Sequence, residues 1–172
     1  MVESNSIALR PVVPEDEDFL FHLYCVVRAP EFAFLALPEQ QKTPLLRMQY
    51  NAQQSAYRGQ YPGSEHQLVL HDGKAAGRIW VAQRESEFCL LDIALLAECR
   101  NQGIGTFLIS RLQAQARMAR KPVRSSVFRF NAGSLRLHER LGFQVASKDE
   151  IQFQMEWAPG NTQETELRSE SA

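Results

Sequence analysis

Cysteine is scarce in this chain, and the few cysteines are poorly placed for cross-linking or for metal binding. The 172 residues contain three, Cys25, Cys89 and Cys99, and no two of them form a Cys-x-x-Cys pair. An odd number of widely spaced thiols predicts neither a disulfide framework nor a zinc site. We therefore expect a protein without a metal ion, in a reducing cytoplasm.

Long hydrophobic runs, repeats and low-complexity tracts are also missing. The longest apolar runs, such as residues 33–37, are far shorter than the roughly 20 residues that span a bilayer. The first six residues lack the positive flank and apolar stretch of a signal peptide. We predict one domain over residues 1–157, a disordered polar tail over 158–172, and no membrane partner.

The hydrophobic pattern predicts the order β-α-α-β-β-β-α-β-α-β. The strands are expected at 7–13, 67–71, 75–83, 88–96, 123–130 and 151–157, and the helices after residue 15, over 39–57, after 105 and after 131. Asp72-Gly73 predicts a hairpin. The helix over 39–57 is expected to bury Leu45, Met48, Ala52 and Ala56. This order gives a mixed α/β fold whose sheet is mostly antiparallel with one parallel pair.

The segment Arg100-Asn-Gln-Gly-Ile-Gly105 lies at a predicted strand-to-helix turn. Glycines at 103 and 105 let the backbone approach a ligand, and the free N–H groups of the helix start favour an anion such as a diphosphate. A P-loop would need Lys and then Ser or Thr after the last glycine, but Thr106 and Phe107 follow Gly105. A dinucleotide fingerprint would need a small residue at position 108, which is Leu. Neither motif is present. A plain tight turn is the alternative.

Charge is distributed unevenly along the chain. Residues 1–40 carry a net charge of −5, whereas residues 100–140 carry +8. Either two surface regions offset each other, or the basic stretch serves an anionic ligand. Arg111, Arg117 and Arg120 also fit a solvated helix face.

Two segments resemble the acetyl-CoA-binding pattern of the GNAT (Gcn5-related) N-acetyltransferase superfamily. Residues 91–108 match its apolar strand, Arg/Gln-x-x-Gly-x-Gly/Ala turn and helix, and residues 131–143 match its Asn-x-x-Ala-x-x-Leu-Tyr-x-x-x-Gly-Phe, except at Ser134 and His138. Element order agrees over residues 7–157. The resemblance implies the acyl-CoA N-acyltransferase fold and acetyl transfer from acetyl-CoA to a primary amine by direct attack.

The resemblance also assigns roles to individual residues. Those implied to hold acetyl-CoA are Leu95, Leu96, Ala97, Arg100, Asn101, Gln102, Gly103, Ile104, Gly105, Thr106 and Asn131. Because proteins of this superfamily are often dimers, a homodimer is a further expectation.

Two residues are candidates for proton chemistry. His138 stands where the family usually has a tyrosine that protonates the departing thiolate; the alternative is a solvated or capping histidine. Asp92 is the ionisable residue of an apolar strand, where a carboxylate is costly unless hydrogen-bonded or functional. Asp92 is either a base or ammonium contact, or a structural acid.

The acceptor is expected between the first two helices and the strand ends. Candidate contacts are Gln49, Gln53 and Tyr57, spaced by four on one helix face, with Glu31 in a loop. A solvent-facing stripe is the alternative account of that spacing. The acceptor would be a small-molecule or protein amine.

Two other function classes compete with an enzyme. A catalytically silent acyl-CoA-binding sensor would keep the glycine turn and lose proton chemistry. A nucleic-acid binder is disfavoured, because the basic helix carries the glycine pair and lacks interleaved aromatic residues.

Overall fold

The computed structural model describes residues 6–32 and 37–160 of the chain. Within them the strands are β1 (Ile7–Pro11), β2 (Glu65–His71), β3 (Lys74–Gln83), β4 (Phe88–Leu95), β5 (Val123–Phe128), β6 (Gln144–Lys148) and β7 (Gln152–Trp157). The helices are α1 (Glu17–Phe32), α2 (Glu39–Gln60), α3 (Ile104–Ala119) and α4 (Ala132–Arg140). Most of the predicted tail, residues 161–172, lies outside the described residues.

Strand pairing follows the order β1-β2-β3-β4-β5-β7-β6. Antiparallel pairing joins β1 to β2, β2 to β3, β5 to β7 and β7 to β6, and β4 pairs in parallel with β5. This confirms the predicted mixed, mostly antiparallel sheet. By its contacts the chain forms two compact units, one of residues up to Ala82 with Asp92–Ile104, the other of Gln83–Leu91 with the residues from Gly105 onward.

The turn between β2 and β3 is built as the sequence predicted. Asp72 and Gly73 both have positive φ, 50° and 75°, as a two-residue turn that follows the twist of its strands requires. The turn brings His71 opposite Lys74. The predicted hairpin is confirmed.

Strand β6 was not expected from the sequence. All five of its residues are exposed, so no alternation of buried and exposed positions marks it. Its pairing with β7 places Gln144 opposite Glu156 and Val145 opposite Met155. Backbone hydrogen bonds, rather than burial, define this strand.

Of the four residues expected on the buried face of α2, Leu45 packs against the core, but the other three do not. Met48 is 61% exposed, and Ala52 and Ala56 are exposed as well, whereas Leu46 and Tyr50 are buried. Leu46 and Tyr50 join Leu20, Tyr24 and Leu68 in the core of the first unit. Because this face also carries glutamines and tyrosines, hydrophobicity alone does not identify it.

Gly77 lies where β3 approaches the end of β4. A Cβ atom at this position would collide with the carbonyl oxygen of Ala94 and would lie 2.7 Å from Cδ2 of Leu95. The carbonyl oxygen is backbone, so a side chain at Gly77 could be accommodated only by moving the strand.

We expect Gly77→Ala to lower the free energy of unfolding by about 1–3 kcal/mol, the usual cost of overpacking. Gly59→Ala on α2 is the matched control. No heavy atom lies within 4 Å of its added Cβ, and alanine should stabilise the helix by about 0.5–1 kcal/mol. Urea denaturation of both variants measures the difference, and equal midpoints would contradict the proposed collision.

Candidate functional site

Strand β4 ends at Leu95, one residue earlier than expected, and its last backbone groups are already engaged. The N–H of Leu96 donates to the carbonyl oxygen of Ala76 at 2.9 Å, and Nε of Arg100 donates to the carbonyl oxygen of Leu95 at 3.0 Å. Ala97 begins a short 3-10 turn. The N–H of Leu96 and the carbonyl group of Leu95 belong to the residues predicted to hold the cofactor arm, and both already have partners within the protein.

The turn that leads from Arg100 into α3 has an unusual backbone. Asn101 and Gly103 adopt positive φ values of 58° and 85°, which glycine adopts without strain. The first turn of α3 carries no acidic side chain. Its N–H groups have no partners inside the helix, and the helix dipole adds positive charge there. The start of α3 is therefore suited to an anionic group.

The first turn of α3 also contacts α4. A Cβ atom at Gly105 would lie 3.1 Å from Cδ2 of Leu137, so close packing of the two helices favours glycine here, whether or not a ligand binds. Nη2 of Arg140 donates to the hydroxyl oxygen of Thr106 at 3.2 Å. This contact places a guanidinium beside a hydroxyl predicted to hold a diphosphate.

Asn131 begins α4 as predicted. Its Oδ1 accepts a hydrogen bond from the N–H of Ser134 at 3.0 Å, so the N-cap is confirmed. The contact between Asn131 and the cofactor stays a prediction.

His138 is 1% exposed, and both of its ring nitrogens have partners. Nδ1 lies 2.8 Å from the carbonyl oxygen of Ser134, and Nε2 lies 3.1 Å from the hydroxyl oxygen of Ser125. A carbonyl oxygen only accepts, so Nδ1 carries the proton and Nε2 accepts from Ser125 when the ring is neutral. Burial lowers the pKa of His138 and favours that neutral form. This geometry favours a structural histidine, and the acid role stays a prediction.

Asp92 is paired with an arginine that the sequence analysis did not select. Nε of Arg78 donates to Oδ2 of Asp92 at 2.6 Å, and Nη2 donates to Oε1 of Gln53 at 2.7 Å. The Arg78 side chain is 3% exposed and that of Asp92 is 24% exposed. Arg78 thereby links β3, β4 and α2. The sequence contained one signal for this pair. Arg78 is a charged residue inside the apolar stretch of β3, just as Asp92 is a charged residue inside the apolar stretch of β4.

Tyr57 packs on the same side of β3 as Arg78. Its ring meets the Trp80 ring edge-on, with centroids 5.1 Å apart, and Nε1 of Trp80 donates to Oγ of Ser64 at 2.8 Å. Burial, followed by the nearby charge of Asp92, raises the pKa of Tyr57 to about 12, so its phenol keeps its proton. Gln53 and Tyr57 therefore face the sheet, which corrects the alternative of a solvent-facing stripe.

The other two acceptor candidates are less informative. Gln49 is half-buried, one turn before Gln53 on α2. Glu31 lies in the last turn of α1 rather than in a loop, and its side chain lies outside the described residues.

One family model matches residues 29–143, more than half of the chain, and it describes the acetyltransferase (GNAT) family. The chain belongs to this family. No curated protein matches it.

Solved structures with the same fold cover most of the chain. PaiA N-acetyltransferase from Thermoplasma acidophilum, in complex with coenzyme A, is 20% identical with a TM-score of 0.70, over 89% of this chain and 99% of that one. The ribosomal-protein-S18-alanine N-acetyltransferase from Escherichia coli is 18% identical (TM-score 0.60; 88% and 93% covered). Naa50 from Arabidopsis thaliana, with the bisubstrate analogue CoA-Ac-MVNAL, is 14% identical (0.59; 89% and 99%). These similarities support the acyl-CoA N-acyltransferase fold.

Residues 6–32 and 37–160 contain neither a membrane-spanning helix nor a metal-binding cluster. No helix in these ranges combines the length and apolar character that a membrane crossing needs. No group of three or more histidine, cysteine, aspartate and glutamate side chains is arranged there to hold a metal ion.

The buried imidazole of His138 should make stability depend on pH. Below about pH 6.5 the unfolded chain binds a proton at His138 that the native ring, with its lowered pKa, does not yet accept. The free energy of unfolding should therefore fall from pH 7 to pH 5, and His138→Phe should fall less steeply. Urea denaturation at both pH values measures the two slopes. His22→Phe, at an exposed position, is the control, and equal slopes for the wild type and His138→Phe would contradict the expectation.

Proposed function

We propose that this chain is an acetyl-CoA-dependent N-acetyltransferase that transfers an acetyl group to a primary amine by direct attack. The observation that carries the amine acceptor is the environment of Asp92. Buried Arg78 fixes one carboxylate oxygen, while the side chain keeps 24% of its surface exposed. An anionic oxygen at a partly exposed position suits an ammonium or amine group.

The residues that would hold acetyl-CoA fit a diphosphate ligand. The backbone from Arg100 to Ile104 turns through two positive φ values into a helix start without acidic side chains, and Arg140 lies beside Thr106. N–H groups and guanidinium groups are suitable donors to phosphate oxygens. When bound, acetyl-CoA supplies a thioester as the acetyl donor.

The proposed reaction forms a carbon–nitrogen and a sulfur–hydrogen bond, and it breaks a carbon–sulfur and a nitrogen–hydrogen bond. The amine nitrogen attacks the thioester carbonyl carbon, the carbon–sulfur bond breaks, one proton leaves the nitrogen and one binds the thiolate. Asp92 would bind the ammonium and accept its proton, which makes the nitrogen nucleophilic. His138 has a lowered pKa and engaged nitrogens, so it is poorly suited to supply the thiolate proton.

The geometry of His138 also favours one alternative. A chain that binds acyl-CoA without turnover, as a sensor or interaction module, needs no acid at this position. Release of free thiol from acetyl-CoA, screened over a panel of amines, separates the two functions, because the silent module releases none.

Acetyl-CoA should raise the Tm of the protein, because a ligand that binds only the native state stabilises it. At a concentration 100 times Kd the gain is about 2.7 kcal/mol. The double variant Gly103→Val/Gly105→Val should lose this shift, because branched side chains would strain the turn and crowd the helix start. Gly59→Ala should keep it. Absence of a shift in the wild type at millimolar acetyl-CoA would contradict cofactor binding.

Asp92→Asn should lower kcat/KM about tenfold or more, because positioned proton transfer contributes about 10²–10⁴-fold to a reaction rate. It should also lower the Tm, since buried Arg78 loses its counter-ion. Kinetics are therefore measured at a temperature where circular dichroism shows the variant folded. A lowered Tm with unchanged kcat/KM would assign Asp92 a structural role.

A further inference from the structure

Arg78 determines which atom of the Gln53 amide is presented to a ligand. A guanidinium has donors and no acceptor, so the Gln53 atom 2.7 Å from Nη2 is the carbonyl oxygen Oε1. The amide nitrogen Nε2, with two N–H donors, is therefore directed away from Arg78. Gln53 is half-buried rather than enclosed.

Arg78 orients Asp92 in the same way. The short contact from Nε is to Oδ2, and the carboxylate remains partly exposed. Gln53 and Asp92 bond to one guanidinium, so the two side chains lie within the reach of a single planar group. The Gln53 amide and the Asp92 carboxylate are thus both held by one guanidinium.

Arg78 itself has a donor to spare. The residue is 2% exposed, and its Nη1 finds no acceptor among residues 6–32 and 37–160. A buried donor without a partner is destabilising until an oxygen completes it. Because Nη1 is enclosed, the Gln53 amide, rather than Arg78 itself, presents donors to a ligand.

We infer that the acceptor amine carries a hydrogen-bond-accepting oxygen close to its nitrogen, with the amine on Asp92 and the oxygen on the amide donors of Gln53 that Arg78 orients. This inference rests on the proposed N-acetyltransferase function. In the α-amines of amino acids, amino-acid amides and peptides, the second carbon from the nitrogen carries such an oxygen. Alkylamines, polyamines and the ε-amine of lysine have none there. Arg78 and Gln53 are then specificity-determining residues for the acceptor.

The wild-type protein tests the inference with a matched pair of amines, glycinamide and propylamine. Each is supplied at an equal concentration of its unprotonated form, and thiol release from acetyl-CoA gives kcat/KM. We expect a preference of about tenfold or more for glycinamide, the value of one added hydrogen bond. Glycine and diglycine, compared in the same assay, distinguish a free amino acid from a peptide as the source of the oxygen. Equal rates, or a preference for propylamine, overturn the inference.

The variant Gln53→Glu tests the assigned donor. A glutamate carboxylate still accepts from Arg78, but it replaces the N–H donors of Nε2 with an acceptor. The preference for glycinamide over propylamine should fall about tenfold, because the glycinamide oxygen would then meet a carboxylate instead of the amide donors. Gln41→Glu, at an exposed position of α2, makes the same charge change and should keep the wild-type preference. A Gln53→Glu variant that keeps the wild-type preference, or loses both activities equally while folded, overturns the assignment.

Failure of this inference and failure of the proposed function give different results. Thiol release with propylamine but without preference for glycinamide overturns the inference alone. No release with any amine, from a protein whose Tm rises with acetyl-CoA, overturns the transferase function and the inference together.

Discussion

The buried guanidinium of Arg78 sets the strongest constraint on the first unit. A positive charge that is 2% exposed loses most of its hydration, so its partners must be present and well oriented for the fold to tolerate it. Those partners come from β4 and α2, through Asp92 and Gln53. One side chain therefore fixes the position of helix α2 on the sheet and the orientation of a carboxylate. A displacement of β4 or of α2 would leave the Arg78 guanidinium without one of its partners.

The same unit combines this charged cluster with an aromatic one. Trp80 contacts the ring of Tyr57 on one side, and the His66 ring stacks on it with centroids 4.0 Å apart. Burial, together with the positive charge of Arg78, lowers the pKa of His66 to about 4, so this stack is neutral at physiological pH. The apolar packing that positions α2 thus leaves Arg78 and Asp92 as the charged pair between β3 and β4.

Features that depend on local sequence were predictable. The hairpin at Asp72-Gly73 and the cap at Asn131 arise from residues within a turn of each other, and the structure confirms both. Features that depend on partners distant in sequence were not. Residues 53, 78 and 92 are brought together by strand pairing and helix packing. The sequence pattern selected Asp92 and Gln53 as candidates, but it did not identify Arg78, whose role depends on those long-range contacts.

Burial also limited what could be predicted about individual roles. The family pattern placed His138 correctly on the short helix α4, but its pKa is lowered by burial, and its Nε2 lies against Ser125 from strand β5. Strand β6 was missed for the opposite reason. All five of its residues are exposed, and exposed strands leave no hydrophobic signal.

That exposed strand has a consequence for how the protein behaves at high concentration. Among the residues that the structure describes, β6 is the last strand in the sheet order, so one side of its backbone is an edge that could template pairing with another chain. The register between β6 and β7 shifts between Val145 and Ser147, and the strand ends in the charged residue Lys148. A bulge and a lysine on an edge strand both disfavour regular addition of a further strand. These two features therefore protect this margin of the sheet against edge-to-edge aggregation.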